Sequence, residues 1–172
     1  MARVAVVLAP DFEDPEFTGP RDALEEAGHT VYVIGSEAGA ELTGKRGETS
    51  VTTDLAVADV EPGSYDALVI PGGYSPDKLR TDDDIVDFVR RLADADVPVA
   101  AICHAGSLLI EAQLVEGRRL TSWPSIRTDL RNAGAEWVDE EVVVDGRLIT
   151  SRNPDDIPAF NAALLDQLGA AT

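Results

Sequence analysis

Val97-Pro-Val-Ala-Ala-Ile-Cys-His-Ala-Gly106 is the stretch that decides the fold. Its first six residues form an apolar run rich in β-branched side chains, the composition of a buried central strand. From Ala105 to Gln113 the pattern becomes helical. Cys103 and His104 lie at the junction, with Ala101 two positions before the cysteine and Ala105 two after it. That spacing predicts a nucleophile elbow, in which a tight strand-to-helix turn lifts the nucleophile above the sheet and only small neighbours let strand and helix pass so closely. A cysteine placed there sits at a helix N-terminus, where unpaired N–H groups and the macrodipole favour the thiolate. A free cysteine among small apolar residues also makes ordinary core packing.

Outward from the elbow, apolar runs alternate with helical patterns. The alternation predicts an α/β fold, a doubly wound and mostly parallel sheet flanked by helices. Arg3–Ala9 reads as a short buried strand ended by Pro10, Pro15–Ala27 as a helix closed by Gly28, and Thr30–Ile34 as the second strand. Residues 36–53 are polar and glycine-rich and read as a hairpin or excursion. Asp66–Ile70 is a strand running into Pro71-Gly72-Gly73, and Asp82–Ala95 is a surface helix with Ile85, Val86, Val89 and Leu92 on one face. A helix near 125–132, a hairpin Glu141–Val144/Arg147–Ser151 turning at Asp145-Gly146, and a terminal helix near 155–168 complete the pattern. With no repeat, linker or low-complexity stretch, residues 1–172 read as a single domain. A chain of this length buries about 70% of its unfolded surface and needs no staple.

Sites in doubly wound sheets lie at the carboxyl ends of strands. Three such ends carry polar or glycine-rich turns: Pro10–Asp14, Pro71–Asp77 and Ile102–Gly106. The rule brings Glu13, Gly73, Asp77 and Cys103 into one neighbourhood. His104 is the one histidine after the cysteine, while His29 follows the Gly28 cap as a surface turn residue. A class I glutamine amidotransferase needs a histidine far downstream of its cysteine, so that class is excluded. A histidine acting as base needs a group to hold its tautomer, and Asp77 and Glu13 are the candidates. The Gly73 and His104 backbone N–H groups are candidate donors of an oxyanion hole.

The chain carries 32 acidic against 14 basic residues, a formal charge of −18. That balance argues against nucleic-acid and anionic-membrane binding, which rely on clustered Lys and Arg. The acids are dispersed, as in Glu25-Glu26, Asp82-Asp83-Asp84, Glu140-Glu141 and Asp155-Asp156, and only Lys45 and Lys78 represent lysine. Dispersed carboxylates suit a salt-rich cytoplasm, since molar salt screens repulsion to about 3 Å, and they point to a halophilic archaeon as source. The apolar run Val4–Ala9 is too short for a signal peptide and nothing approaches a membrane span. One cysteine excludes an internal disulfide or a multi-thiolate metal site and fits a reducing cytoplasm.

Several stretches together carry a family resemblance. They are Asp11-Phe-Glu-Asp14, Leu42-Thr-Gly44, Ala67-Leu-Val-Ile-Pro-Gly-Gly73, Ala101-Ile-Cys-His-Ala-Gly106, Leu120-Thr-Ser-Trp-Pro-Ser-Ile126, Asn132–Asp139 and Glu141-Val-Val-Val-Asp-Gly146 through Thr150-Ser-Arg-Asn-Pro154. They resemble the PfpI family of intracellular proteases and protein deglycases over nearly the whole chain. The resemblance implies a flavodoxin-like domain of the glutamine-amidotransferase superfamily with Cys103 as nucleophile, His104 beside it, Glu13 as the acid hydrogen-bonding the cysteine, and Gly73 as an oxyanion donor. Asp77 stands where founding proteases have a Glu that reaches a neighbouring subunit's Cys-His pair. Here that residue is one methylene shorter, and Tyr74 replaces an Arg. The resemblance further implies no cofactor or metal, a homo-oligomer (dimer or hexamer), and a small aldehyde or a glycated or unfolded protein as substrate. The activity implied is a cysteine-dependent hydrolase or lyase, a deglycase or glutathione-independent glyoxalase acting in stress protection. The alternatives are an ATP-independent peptidase and a non-catalytic redox sensor or holding chaperone using Cys103. If the dispersed acids are a coat suited to salt, the melting temperature rises from dilute buffer to molar KCl; equal values in both remove that reading.

Overall fold

The computed structural model of the protein describes residues 1–170. In chain order the elements are β1 (Arg3–Val7), α1 (Asp14–Glu26), β2 (Thr30–Gly35), β3 (Glu41–Thr43), β4 (Ser50–Thr52), β5 (Leu55–Ala56), β6 (Ala67–Ile70), α2 (Ser75–Leu79) and α3 (Asp83–Asp94). They continue with β7 (Val99–Ile102), α4 (Gly106–Glu111), β8 (Arg119–Leu120), α5 (Arg127–Asn132), β9 (Glu136–Trp137), β10 (Val143–Asp145), β11 (Leu148–Ser151) and α6 (Ile157–Ala170). Seven strands form the main sheet in the order β10-β11-β7-β6-β1-β2-β5. Every pairing in it is parallel except β10 with β11. The doubly wound α/β fold of the sequence reading is present, with helices on both faces.

The fully buried strands explain the sheet's parallel character, because β1, β6 and β7 are apolar on both sides. One face packs Ala5, Val7, Leu68, Ile70, Val99 and Ala101 against α2, α3 and α4. The other packs Val4, Val6, Ala67, Val69 and Ala100 against α1 and α6. The chain runs from β1 outward to β2 and then returns to the opposite side of β1 with β6. The switch point therefore falls between β1 and β6, where the turns after β1, β6 and β7 share one edge.

Local chemistry sets the element ends. Asp82 caps α3, its carboxylate accepting the Asp84 and Ile85 N–H groups. Gly28 takes a φ of +89° just past α1, the conformation for which glycine is the cheapest residue. Between β6 and α3 the Ser75–Leu79 segment, read as a turn, is a short helix started by Pro76. The parallel pair β8–β9 also lay outside the sequence reading. Two-residue strands carry no periodicity to read.

Residues 36–53 do leave the main sheet: β3 and β4 form a separate antiparallel hairpin. Asp14, buried at the start of α1, holds its tip. Its carboxylate accepts the backbone N–H of Arg46 at 2.8 Å, Thr49 at 2.9 Å and Glu48 at 3.2 Å. These bonds hold its carboxyl below the usual range against the opposing effect of burial. Lys45 N–H to Phe12 O at 2.7 Å adds a fourth tie. Asp14→Ala is expected to cost roughly 2 kcal/mol or more, since it strips three backbone donors of a charged acceptor. Urea unfolding measures the loss, and hydrogen exchange should accelerate selectively at the Arg46, Glu48 and Thr49 amides.

Candidate active site

The junction of β7 and α4 has the elbow conformation. Cys103 adopts a φ of +64°, which a non-glycine residue holds only where its surroundings enforce it. The neighbours provide that enforcement: Ala101 and Ala105 are buried, and Cys103 O accepts the Trp123 N–H at 3.1 Å. A side chain at Gly106 would press on Ile126 and Leu130 of the next helical segment, so the tight strand-to-helix packing extends past the turn.

Three turns converge on the sulfur. The turn after β6 is stitched to the loop after β1 by Glu13 N–H to Gly72 O at 3.2 Å, Tyr74 N–H to Asp11 O at 2.9 Å and an isolated bridge between Phe12 and Gly73. Gly73 has a φ of +76°, and a Cβ there would collide with the Glu13 backbone nitrogen, so only glycine fits. At Gly72 a Cβ would lie 2.5 Å from Glu16 Oε1 and 2.7 Å from Cys103 Cβ, filling the space where those two side chains meet.

Glu16 is the carboxyl beside the cysteine. It has no solvent exposure; Oε1 accepts the Gly72 N–H at 2.9 Å, Oε2 has no N–H or O–H partner, and the Cys103 side chain is its remaining polar neighbour. The expectation that Glu13 hydrogen-bonds the cysteine is corrected here. Glu13 occupies the N-cap position of α1 without a side-chain cap bond, and its buried carboxylate pairs with Lys45 Nζ at 2.9 Å and Arg46 Nε at 2.5 Å. One helical turn later Glu16 points inward on the same stripe as Pro20 and Leu24. The signal in the sequence is an acid at that spacing on an apolar stripe.

Burial pushes the Glu16 carboxyl up to about 8, with the Glu13 charge adding to the effect, so at neutral pH it is an undissociated acid. The Cys103 thiol is likewise pushed up to about 12, first by burial and then by Glu16. The His104 and Gly73 backbone N–H groups act on the sulfur in the other direction. The expected activation by the helix terminus is thus outweighed: the resting sulfur is buried and protonated, and it needs a base.

His104 is placed to be one. Its Nδ1 lies 3.3 Å from Cys103 Sγ and its Nε2 lies 3.1 Å from Ser125 Oγ. Burial, with Lys45 second, holds the imidazole below its ordinary value, so the ring is neutral. When Nε2–H donates to Ser125, Nδ1 is left as the acceptor facing the thiol. Neither Glu13 nor Asp77 holds the ring in this chain, and Ser125 stands where a carboxylate was expected. Asp77 is exposed on α2 and touches none of these groups. The resulting cavity, about 230 Å³, is lined by Glu13, Glu16, Lys45, Arg46, Gly73, Cys103, His104, Trp123, Asn153 and Pro154. Among the described residues, no three His, Cys, Asp or Glu side chains group in a way that could hold a metal ion. No helix among them is long and apolar enough to cross a membrane.

The DJ-1/PfpI family model matches residues 2–167. The chain belongs to the DJ-1/PfpI family. It is 50% identical over 169 residues to protein/nucleic acid deglycase 2 of Escherichia coli K12, covering 98% of each chain. It is 51% identical over 160 residues to general stress protein 18 of Bacillus subtilis 168, covering 92% of this chain and 93% of that one. A crystal structure of a two-domain protein from Anabaena variabilis, with DJ-1/ThiJ/PfpI-like and ferritin-like domains, superposes with a TM-score of 0.97 at 41% identity. That match covers 98% of this chain and 48% of the longer one. The flavodoxin-like sheet with Cys103 at the elbow is thus the DJ-1/PfpI architecture.

The Glu16 acid has a measurable signature. A carboxyl raised from an ordinary 4.5 to about 8 gives stability that is full below pH 4.5 and lost as pH rises through about 8, at about 1.4 kcal/mol per pH unit. Glu16→Gln lacks that dependence. Urea unfolding from pH 5 to 8 should show wild type losing stability steadily relative to the variant, and a constant difference would refute the raised value.

Proposed function

We propose that the protein is a cysteine-dependent enzyme acting on carbonyl substrates, of the protein deglycase or glutathione-independent glyoxalase type, serving stress protection. The observation that carries this reading is the set of groups on one sulfur: the Gly73 and His104 N–H groups, His104 Nδ1 at 3.3 Å, and the buried Glu16 carboxyl. In this reading His104 Nδ1 takes the thiol proton as Sγ adds to the carbonyl carbon. The charge moves to the carbonyl oxygen, and the Gly73 and His104 N–H groups hold it. Glu16, carrying a proton at neutral pH, supplies it to the addition product and recovers it later.

Similarity to a protein named as a deglycase and to one named as a general stress protein supports the same reading. A cytoplasmic setting and a homo-oligomer belong with it, the lone thiol being suited to a reducing compartment. A peptidase built on a Cys-His-acid triad within one chain is less well supported, because His104 Nε2 meets Ser125. A redox sensor needs an exposed thiolate, and Cys103 is 8% exposed and protonated.

Cys103→Ala should abolish consumption of methylglyoxal and of glycated peptides, followed by loss of aldehyde and release of product. His104→Gln should lower kcat by roughly 10²-fold or more as a lost general base, and Ser125→Ala by less, through the tautomer. Full activity of Cys103→Ala would overturn the assignment.

A further inference from the structure

Cys103 follows β7, and the sheet gives that strand two parallel neighbours, β6 on one side and β11 on the other. The turn after β6 brings Gly73 to the sulfur. What the turn after β11 brings is set by register. Ser151 pairs with Ile102, so Arg152 and Asn153 leave the sheet beside Cys103 and His104, one strand spacing away. Asn153 keeps an extended backbone, with φ −165° and ψ 175°, and lines the cavity next to Pro154. The segment is held firmly, because the buried Asp156 carboxylate accepts the Arg152 backbone N–H at 2.9 Å and two of its guanidinium nitrogens at 3.0 Å. Asn153 Oδ1 accepts the Asp155 N–H at 2.9 Å and so caps the turn Pro154–Asp156. A backbone N–H can only donate, which fixes the amide's orientation and leaves its NH₂ group on the other side. Among the described residues that NH₂ group meets no protein acceptor. Asp, Ser or Thr would cap the turn as well. What asparagine adds is the donor.

We propose that Asn153 is a substrate-contacting specificity residue, its Nδ2–H group donating to an oxygen on the carbon next to the one that Cys103 attacks. This rests on the carbonyl chemistry proposed above and adds to it the residue that orients the substrate. The strand order sets the orientation. A carbonyl oxygen held by the Gly73 N–H points to the β6 side of the sulfur, so the rest of the molecule extends to the β11 side, where Asn153 stands. A cavity of about 230 Å³ leaves a small molecule little other room. A second carbonyl or a hydroxyl on the neighbouring carbon gives the amide its acceptor. A simple aldehyde leaves it unpaired, and a site built around such a bond discriminates against the analogue that lacks it.

Alkylation of Cys103, the chain's one cysteine, reads the contact without turnover. Chloroacetone and methallyl chloride share a shape and a leaving group and differ by oxygen against CH₂ on the carbon next to the one attacked. The ratio of their rate constants at Cys103, read by mass, should exceed the ratio for N-acetylcysteine amide by about fivefold, the size of one neutral hydrogen bond. A change in the sulfur alone, in its ionisation or its access, moves both reagents together and leaves the ratio as it was. Asn153→Ser and Asn153→Asp each keep an acceptor for the Asp155 N–H and should melt close to wild type, while their ratios fall to the free-thiol value. A wild-type ratio at that value, or a raised ratio kept by either variant, overturns the proposal. On methylglyoxal both variants should raise KM by about fivefold with little change in kcat, as expected for a contact made equally in ground and transition states. An unchanged KM overturns the proposal while leaving the carbonyl activity standing. A raised ratio that depends on Asn153, in a wild type that turns over no methylglyoxal, upholds the contact and defeats the carbonyl reading.

Discussion

One undissociated carboxyl under the turn after β6 holds the site together. Glu16 accepts the Gly72 N–H, lies against Cys103 and belongs to α1, so three segments distant in sequence meet at a group with no solvent contact. Burying an ionised carboxylate there would be costly, and the acid form avoids the cost. The same choice determines what the site can do. A neutral acid beside the sulfur leaves the thiol protonated, gives the base role to His104, and leaves the charge balance at the cavity mouth to Glu13, Lys45 and Arg46.

The sequence was legible wherever the cause was local. The elbow at Cys103 could be read because small residues at 101 and 105 and a strand-to-helix change are properties of ten consecutive residues. The main strands could be read because full burial leaves unbroken apolar runs, and α3 because its apolar face repeats with helical spacing. Their order in the sheet was not legible, and neither were β5, β8 and β9, whose two-residue lengths carry no pattern.

In the site, what stayed hidden was tertiary. Ser125 reaches His104 from a 3-10 turn 21 residues on, and nothing near either residue announces it. Glu13 and Glu16 differ by one turn of helix, and which of them faces the sulfur depends on where α1 begins relative to the sheet. Composition works at a coarser scale than the site. A charge of −18 describes how the molecule meets a polyanion at a distance, whereas the cavity presents a balance set by five side chains.

The Asp14 anchor has an evolutionary reading. It grips the hairpin tip through backbone amides at 46, 48 and 49, so the tip's shape is indifferent to which side chains those positions carry, proline excepted. The hairpin lies outside the main sheet and shares no ladder with it. Substitutions at the tip can therefore rewrite the charge at the mouth of the cavity while the strands, the elbow and the buried acid stay as they are. The fold separates the floor around Cys103 from a rim whose side chains can change without disturbing it.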